Sequence, residues 1–431
     1  MIRQIVILAG GKGTRMGNQS SIPKSLQIIK GVTILERQLN FFKSQGFSQF
    51  LLLLGNQSEQ IKPHVQGLTV KMQIKIDCIE ESYPLGTGGA LLNSISKLHD
   101  EFILIHGDLF LNTNMNELKV ALKNSENKMA FMFHPSHHPE DSDLLKISQN
   151  RIVEKILVKP RIKGYYRNRG NAGCYAIKRE ILEKYVNENP EIFVIDLDRE
   201  LLPKLIALGH KAVGIRNRGF IRDCGTPERL DYINANWDQI EKFQQYRPAV
   251  FIDRDGTLNK LNGFITKFEQ LDIFEDVPYF ISEINKIGFW LIVVTNQPSI
   301  ARGELSTEML DSFHAKIESD VSKVGAIIDE FYFCPHHPES GHAGEITSLK
   351  IDCNCRKPNT GLIDQAMQDF QIDISKSWMI GDTWRDFELA RKRNLKFIQI
   401  YQNENDRIKN IDSAKTLTDA LKYIKQEVLN Q

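Results

Sequence analysis

Short apolar runs recur along this chain, several of them closed by a glycine or an acid, and they set out its framework. Residues 5–8, 50–54, 102–108, 171–175, 290–297 and 378–382 read as strands of this kind, and Ala249–Ile252 is the clearest of them. Continuous apolar runs bounded by turn residues fit the buried strands of a parallel sheet. The run ending at Ile252 delivers two carboxylates, Asp253 and Asp255, before Gly256 breaks it. Open α/β sheets place their chemistry at that carboxyl end. Between the two sets of strands lies a polar, Gln-rich stretch, residues 237–248, predicted to finish one helix and turn at Pro248 into the next strand. The expected organisation is a first domain at 1–237, a short linker at 238–247 and a second domain at 248–431. Both are α/β, of Rossmann-like three-layer build.

Composition sharpens this picture in a few respects. A chain of 431 residues suits two domains, each able to bury its own core. Its 55 Lys+Arg against 54 Asp+Glu leave no overall field for nucleic acid or a membrane surface. The N-terminal apolar run is too short for a signal peptide, and no stretch approaches the length of a transmembrane helix. The expectation is a cytoplasmic protein acting on small molecules, with a homo-oligomer left open. Of the six cysteines, Cys334, Cys353 and Cys355 share one short window, a pattern of metal binding rather than of disulfides. Cys78, Cys174 and Cys224 stand apart and read as reduced thiols. His134, His137 and His138 lack ordered ligand spacing and read as a polar surface loop.

The first strand runs into a glycine turn. Gly10, Gly11 and Gly13 let backbone amides approach a phosphate, and Lys12 and Arg15 supply countercharge. With Pro23 and Lys24 close behind, this stretch resembles the signature of sugar-phosphate nucleotidyltransferases. The resemblance covers about residues 1–235 and implies that the loop holds a nucleoside triphosphate. Arg15 and Lys24 would neutralise the pyrophosphate and the attacking sugar phosphate. Further segments follow the family's order. Residues 80–90, with Gly86, Thr87 and Gly88, resemble the segment that reads the base. Asp108 and Asp223 match the two Mg²⁺ ligands, Lys159 a phosphate-facing lysine, and Asn171 a sugar contact. Val158 departs from the family, which has glutamate there and uses it on a sugar hydroxyl. The implied reaction is in-line attack of a sugar 1-phosphate on the α-phosphorus with loss of pyrophosphate, catalysed by positioning and charge neutralisation.

In the second half, two acids one residue apart at a strand's end suit a nucleophile for phosphorus and an acid for the leaving oxygen. Thr295 and Asn296 end the next strand, Lys357 follows Arg356, and Asp382 ends a later strand with Asp386 four residues on. Together these resemble the motifs of the haloacid dehalogenase superfamily. The resemblance implies Asp253 as nucleophile, Asp255 as acid/base, Thr295, Asn296 and Lys357 as phosphate ligands, and Mg²⁺ held by Asp253, Asp255 and Asp382, with Asp386 steadying the metal shell. Cys334, His336, Cys353 and Cys355 offer three thiolates and an imidazole, a closed tetrahedral set for a structural Zn²⁺. His337 is the rival imidazole. This loop, with the residues around Thr295 and Lys357, resembles the D-glycero-D-manno-heptose-1,7-bisphosphate 7-phosphatases, with histidinol-phosphate phosphatase as near relative. Here Pro298 and Ser299 replace the family's Ser-Gly, and Thr383 replaces a lysine. No room exists after the first motif for a large cap, and Arg356 is a candidate for the substrate's far end, such as a second phosphate.

The two resemblances imply consecutive steps: phosphate removal from heptose 1,7-bisphosphate, then transfer of GMP from GTP, or a nucleotidyl group from another triphosphate, to heptose 1-phosphate. The alternative is a hexose-1-phosphate nucleotidyltransferase fused to a phosphatase for another sugar or for histidinol phosphate.

Overall fold

The computed structural model describes residues 2–11, 22–190, 194–241 and 246–430. The chain divides into two compact units. One comprises Met1–His134, Ser142–Arg161 and Arg169–Gln244; the other comprises Gln245–Gln431 with the short stretches Pro135–Asp141 and Ile162–Asn168.

In the first unit, strand Gln4–Leu8 lies between Gln49–Leu54 and Glu101–His106, parallel to both. Lys75–Glu80 extends the parallel side, and Gly170–Lys178 joins antiparallel on the other. Side chains alternate across this sheet as pleating requires. Ile5 and Ile7 pack into one apolar layer with Leu35, Leu39 and Phe42 of helix Ile34–Ser44 and Ile61 and Val65 of helix Ser58–Met72. Val6 and Leu8 pack into the opposite layer with Leu91, Leu182 and Leu205. Because both faces are covered, the central strands read as unbroken apolar runs. Helix Ile34–Ser44 starts where Thr33 accepts the Glu36 amide at 3.2 Å, satisfying one of the first-turn donors.

The expected strand at 102–108 ends at His106, and Gly107 and Asp108 form a turn. Strand Leu109–Asn112 follows, antiparallel to Phe220–Asp223, with Leu109 opposite Asp223. That short ribbon brings two acids more than a hundred residues apart in sequence to one place.

The second unit is built on a six-stranded sheet, parallel throughout. In spatial order its strands are Glu330–Cys334, Trp290–Asn296, Ala249–Ile252, Trp378–Gly381, Lys396–Ile400 and Ser413–Ala414. Val250, Ile252, Val293 and Ile380 pack with Phe280 and Ile284 of helix Val277–Lys286 and Ile424 of helix Leu417–Leu429. Each such side chain contributes about 1.5–3 kcal/mol on burial. Between Leu258 and Trp290 the chain forms loops, a 3-10 turn at Phe268–Gln270 and helix Val277–Lys286. Among the described residues no helix is long and apolar enough to cross a membrane.

Candidate functional site

Each unit carries a site at the carboxyl ends of its central strands. In the first, a cavity of about 530 Å³ is lined by Gly10, Gly11, Lys24, Gly86, Thr87, His106 and Asp108, among others. Lys12, Gly13 and Arg15 lie outside the described residues. Lys24 Nζ is 2.9 Å from Asp108 Oδ2. Burial alone would raise the Asp108 carboxyl, but Lys24 and then His106 outweigh it and hold it low. Asp223 accepts from Arg229 and from the Gly225 amide. A Cβ added at Gly225 would lie 3.1 Å from Asp223 Oδ1, 3.4 Å from Lys24 Nζ and 3.5 Å from Asp108 Oδ2, so all three groups face one point.

Other residues singled out in this half are placed differently. Gly88 spends its amide on Ile195 O at 2.9 Å, and Thr87 Oγ1 takes the Leu197 amide at 2.8 Å. The segment expected to read a base is therefore pinned from behind by residues 195–197, leaving Gly86 and Thr87 at the cavity wall. Lys159 donates its backbone amide to Asp143 at 2.9 Å and is not among the cavity-lining residues. Val158, half-buried, packs against the apolar layer, a packing contact in place of a polar one.

Asn171 belongs to a network that the sequence did not announce. Its Nδ2 lies 2.7 Å from Tyr175 Oη and 3.1 Å from Asp198 Oδ1, and Tyr175 also donates to Asp198. Asp198 Oδ2 is in turn 3.0 Å from His106 Nε2. Burial would lower the His106 imidazole, but Asp198, with help from Asp108 and Asp196, carries it to about 9. His106 was legible only as the residue before Gly107 and Asp108, and Asp198 stands in a stretch without motif spacing.

The second site gathers the ends of Ala249–Ile252, Trp290–Asn296 and Trp378–Gly381. Lys357, 3 % exposed, places Nζ 2.8 Å from Asp253 Oδ1 and 2.7 Å from Asp386 Oδ1. Asn296 holds the lysine's loop by a reciprocal pair, donating to Lys357 O at 3.1 Å and accepting its amide at 2.9 Å. Asp253, Asp382 and Asp386 bring one carboxylate oxygen each within 4.8 Å of one another. Burial raises both the Asp253 and Asp382 carboxyls, and their mutual repulsion with Asp386 adds to it against the pull of Lys357. Asp382 Oδ1 is buried without a partner. Three crowded carboxylates and an orphaned oxygen suit a hard divalent cation.

Glycines make this crowding feasible. Gly256 has φ +86°, and a Cβ there would lie 2.3 Å from Asp382 Oδ2; a Cβ on Gly381 would lie 2.4 Å from the Asp386 carboxyl carbon. Thr383 caps helix Trp384–Lys392, and Asp386 Oδ2 accepts from Thr383 N at 3.1 Å and Oγ1 at 2.7 Å.

Asp255 is not in the carboxylate cluster. Arg254, Asn259 and Gln297 hold its side chain, so Asp386 takes the place that the sequence had given Asp255. The physical reason is the forked bond to Arg254, which turns the carboxylate toward a cation already present. Thr295 is buried, with Oγ1 2.9 Å from Gln297 Nε2. Arg356 donates to His336 O at 3.2 Å; burial and the guanidinium groups of Arg385 and Arg302 lower its proton affinity.

Cys334, His336, Cys353 and Cys355 form a second cluster. Their sulfurs lie 3.3–3.5 Å apart, and His336 Nδ1 is 3.2 Å from Cys355 Sγ. Bonds of about 2.3 Å to a tetrahedral metal set ligand edges of roughly 3.7 Å, close to this spacing. The Cys355 thiol is pulled down to about 5 chiefly by hydrogen bonds from Cys334 and Cys353, while Cys334 is pushed up by Cys355 and burial. His337 instead accepts the Glu339 amide at 3.2 Å and lies outside the cluster. His137 and His138 are exposed.

Residues 4–241 match the family model described as nucleotidyl transferase, and residues 354–422 match one described as HAD-hydrolase-like. The D-glycero-beta-D-manno-heptose-1,7-bisphosphate 7-phosphatase of Yersinia pestis is 35% identical over 148 residues, 34% of this chain and 77% of that protein. The protein of the same name from Escherichia coli K12 is 33% identical over 148 residues, 34% of this chain and 75% of its own length. Among solved structures, HddC from Yersinia pseudotuberculosis complexed with GMP-PN is 24% identical; the match covers 55% of this chain and 100% of that one, with a TM-score of 0.44.

His106 provides a pH test. Its affinity for a proton rises from an ordinary 6.5 to about 9 on folding, so the ion pair's stabilisation is fully present below pH 6.5 and is lost as pH rises through 9. Up to about 3 kcal/mol is involved. In metal-free buffer, hydrogen exchange in strands Glu101–His106 and Gly170–Lys178 is expected to accelerate from pH 7 to 9 beyond its intrinsic pH dependence, and His106→Gln to flatten that excess.

Proposed function

Since the chain belongs to the nucleotidyl transferase family through residues 4–241 and to the heptose-bisphosphate 7-phosphatase family through its second half, we propose that it makes an activated heptose in two steps. The phosphatase, in residues 248–431, removes the 7-phosphate of D-glycero-D-manno-heptose 1,7-bisphosphate. The nucleotidyltransferase, in residues 1–237, joins GMP from GTP to heptose 1-phosphate and releases pyrophosphate. The observation that carries this reading is the carboxylate–lysine cluster of Asp253, Asp382, Asp386 and Lys357, set in a sequence that matches the heptose phosphatases. GTP is favoured because the pairing of these two activities in one chain points to the guanylyl branch, an inference from pairing rather than from a base contact.

Asp253 attacks phosphorus while Lys357 offsets the repulsion between its carboxylate and the phosphate dianion. Thr295 and Asn296 hold phosphate oxygens, and Asp255 serves the leaving oxygen. Mg²⁺, held by Asp253 and Asp382 beside Asp386, would supply further charge neutralisation. In the other half Lys24 holds the incoming phosphate, and Asp108 and Asp223 would hold Mg²⁺. Cys334, His336, Cys353 and Cys355 would hold Zn²⁺, which would fix the loop that leads into Arg356 and Lys357. Reduced thiols and substrates of this kind support a cytoplasmic location.

The direct test is one incubation with Mg²⁺, GTP and the α or β heptose 1,7-bisphosphate, read by mass spectrometry. GDP-heptose from one anomer is the expected product; phosphate without nucleotide sugar would remove GTP or the heptose from the second step. Asp253→Asn is expected to lower phosphate release at least about 10²-fold and to leave nucleotidyl transfer intact, and Lys24→Ala to do the reverse. Loss of both activities in either variant would contradict separate sites. Metal analysis should find zinc in fresh protein, and Cys355→Ser should lose it together with thermal stability of the second unit; zinc-free wild type would end that assignment.

A further inference from the structure

Three side chains around Asp255 have no part in the chemistry above. Arg254 is 0 % exposed, an arrangement that is costly unless its charge is paired. Its Nε lies 3.0 Å and its Nη2 2.8 Å from Asp255 Oδ1, and Nη2 is also 2.8 Å from Oδ2. Gln297, also buried, donates Nε2 to Asp255 Oδ2 at 2.8 Å and accepts from Arg254 Nη2 at 3.1 Å through Oε1. Asn259 donates to Asp255 Oδ1 at 3.1 Å. Both carboxylate oxygens are therefore gripped by groups fixed in the core, although the Asp255 side chain itself is 22 % exposed.

We propose that Arg254 and Gln297 are positioning residues that aim Asp255 at the leaving oxygen, an inference that rests on the phosphatase reading of this site. A general acid must come within about 2.6–3.2 Å of the oxygen it protonates. A partly exposed aspartate has free rotamers at hand, and the clamp removes them. Gln297 also reaches Thr295 Oγ1 at 2.9 Å, so one amide ties the acid to the residue that faces the phosphate.

The step in which the clamp acts balances as follows. An Asp253 oxygen bonds to phosphorus as the bond from phosphorus to the leaving oxygen breaks. Asp255, protonated on one oxygen for this step while the other still accepts from Arg254, gives its proton to the leaving oxygen and an alcohol departs. Water then attacks the aspartyl phosphate and its proton returns to Asp255. Inorganic phosphate leaves, and Asp253 is a carboxylate again.

The leaving group discriminates this role from a merely structural one. An alkoxide needs Asp255's proton; p-nitrophenolate leaves without it. Burst release of alcohol from an alkyl phosphate and of nitrophenol from p-nitrophenyl phosphate would be measured for the full chain and for Gln297→Leu, Arg254→Lys and Asp255→Asn. Gln297→Leu and Arg254→Lys are expected to slow the alkyl substrate about tenfold or more and the aryl substrate less than about threefold. Combining Gln297→Leu with Asp255→Asn should cost no more than Asp255→Asn alone, since the amide acts through the acid. Equal loss on both substrates, or additive loss in the double variant, would overturn the proposal. A wild-type chain that releases no phosphate from either substrate would overturn the phosphatase reading and the proposal with it.

Discussion

One buried ammonium group underlies the second unit's site. Lys357 Nζ lies between the carboxylates of Asp253 and Asp386, and burial pushes the Asp253 carboxyl toward its neutral form against the pull of that ammonium. A lysine is normally lost from such a place, because leaving water is expensive for a charge. Here two carboxylates at 2.8 Å and 2.7 Å outweigh that cost and raise the lysine's own proton affinity. The rest of the site follows from keeping the trio together. Asn296 anchors the lysine's loop, Thr383 anchors Asp386, and Gly256 and Gly381 leave the room that the carboxylates occupy.

The first unit solves a related problem with different parts. Its acids, Asp108 and Asp223, are brought together by a two-stranded ribbon rather than by adjacent strands of one sheet. Each is matched by a cation, Asp108 by Lys24 and Asp223 by Arg229, and Lys24 holds the Asp108 carboxyl low beside the cavity. In both units opposite charges are fixed beside one another before any ligand arrives, which is the condition for a preorganised site.

Much of this was written in the order of residues. Parallel strands buried on two faces need continuous apolar runs, so Ala249–Ile252 and the first strand were visible as such. Chemistry at their carboxyl ends then pointed to Asp253, Asp108 and Asp382. The cysteine spacing named its cluster, because thiols and an imidazole at short intervals are the pattern a closed metal site would use. Thr295, Lys357 and Asp223 were readable through motifs that keep their sequence even where the fold brings distant parts together.

What the sequence could not state was which polar groups would spend themselves on one another. Asp255 and Asp386 are both acids near a strand's end, and only the packing of Arg254 turns one out of the carboxylate cluster while Thr383 and Lys357 hold the other in it. The Asp198–His106 pair joins residues 92 positions apart, and the half-buried Val158 packs against an apolar layer that only the fold brings beneath it. Local pattern determined the strands, the motifs and the chemical class, since each depends on residues close in sequence. Tertiary structure decided the partners of each charge, since a buried group takes the nearest opposite group in space, whatever its number.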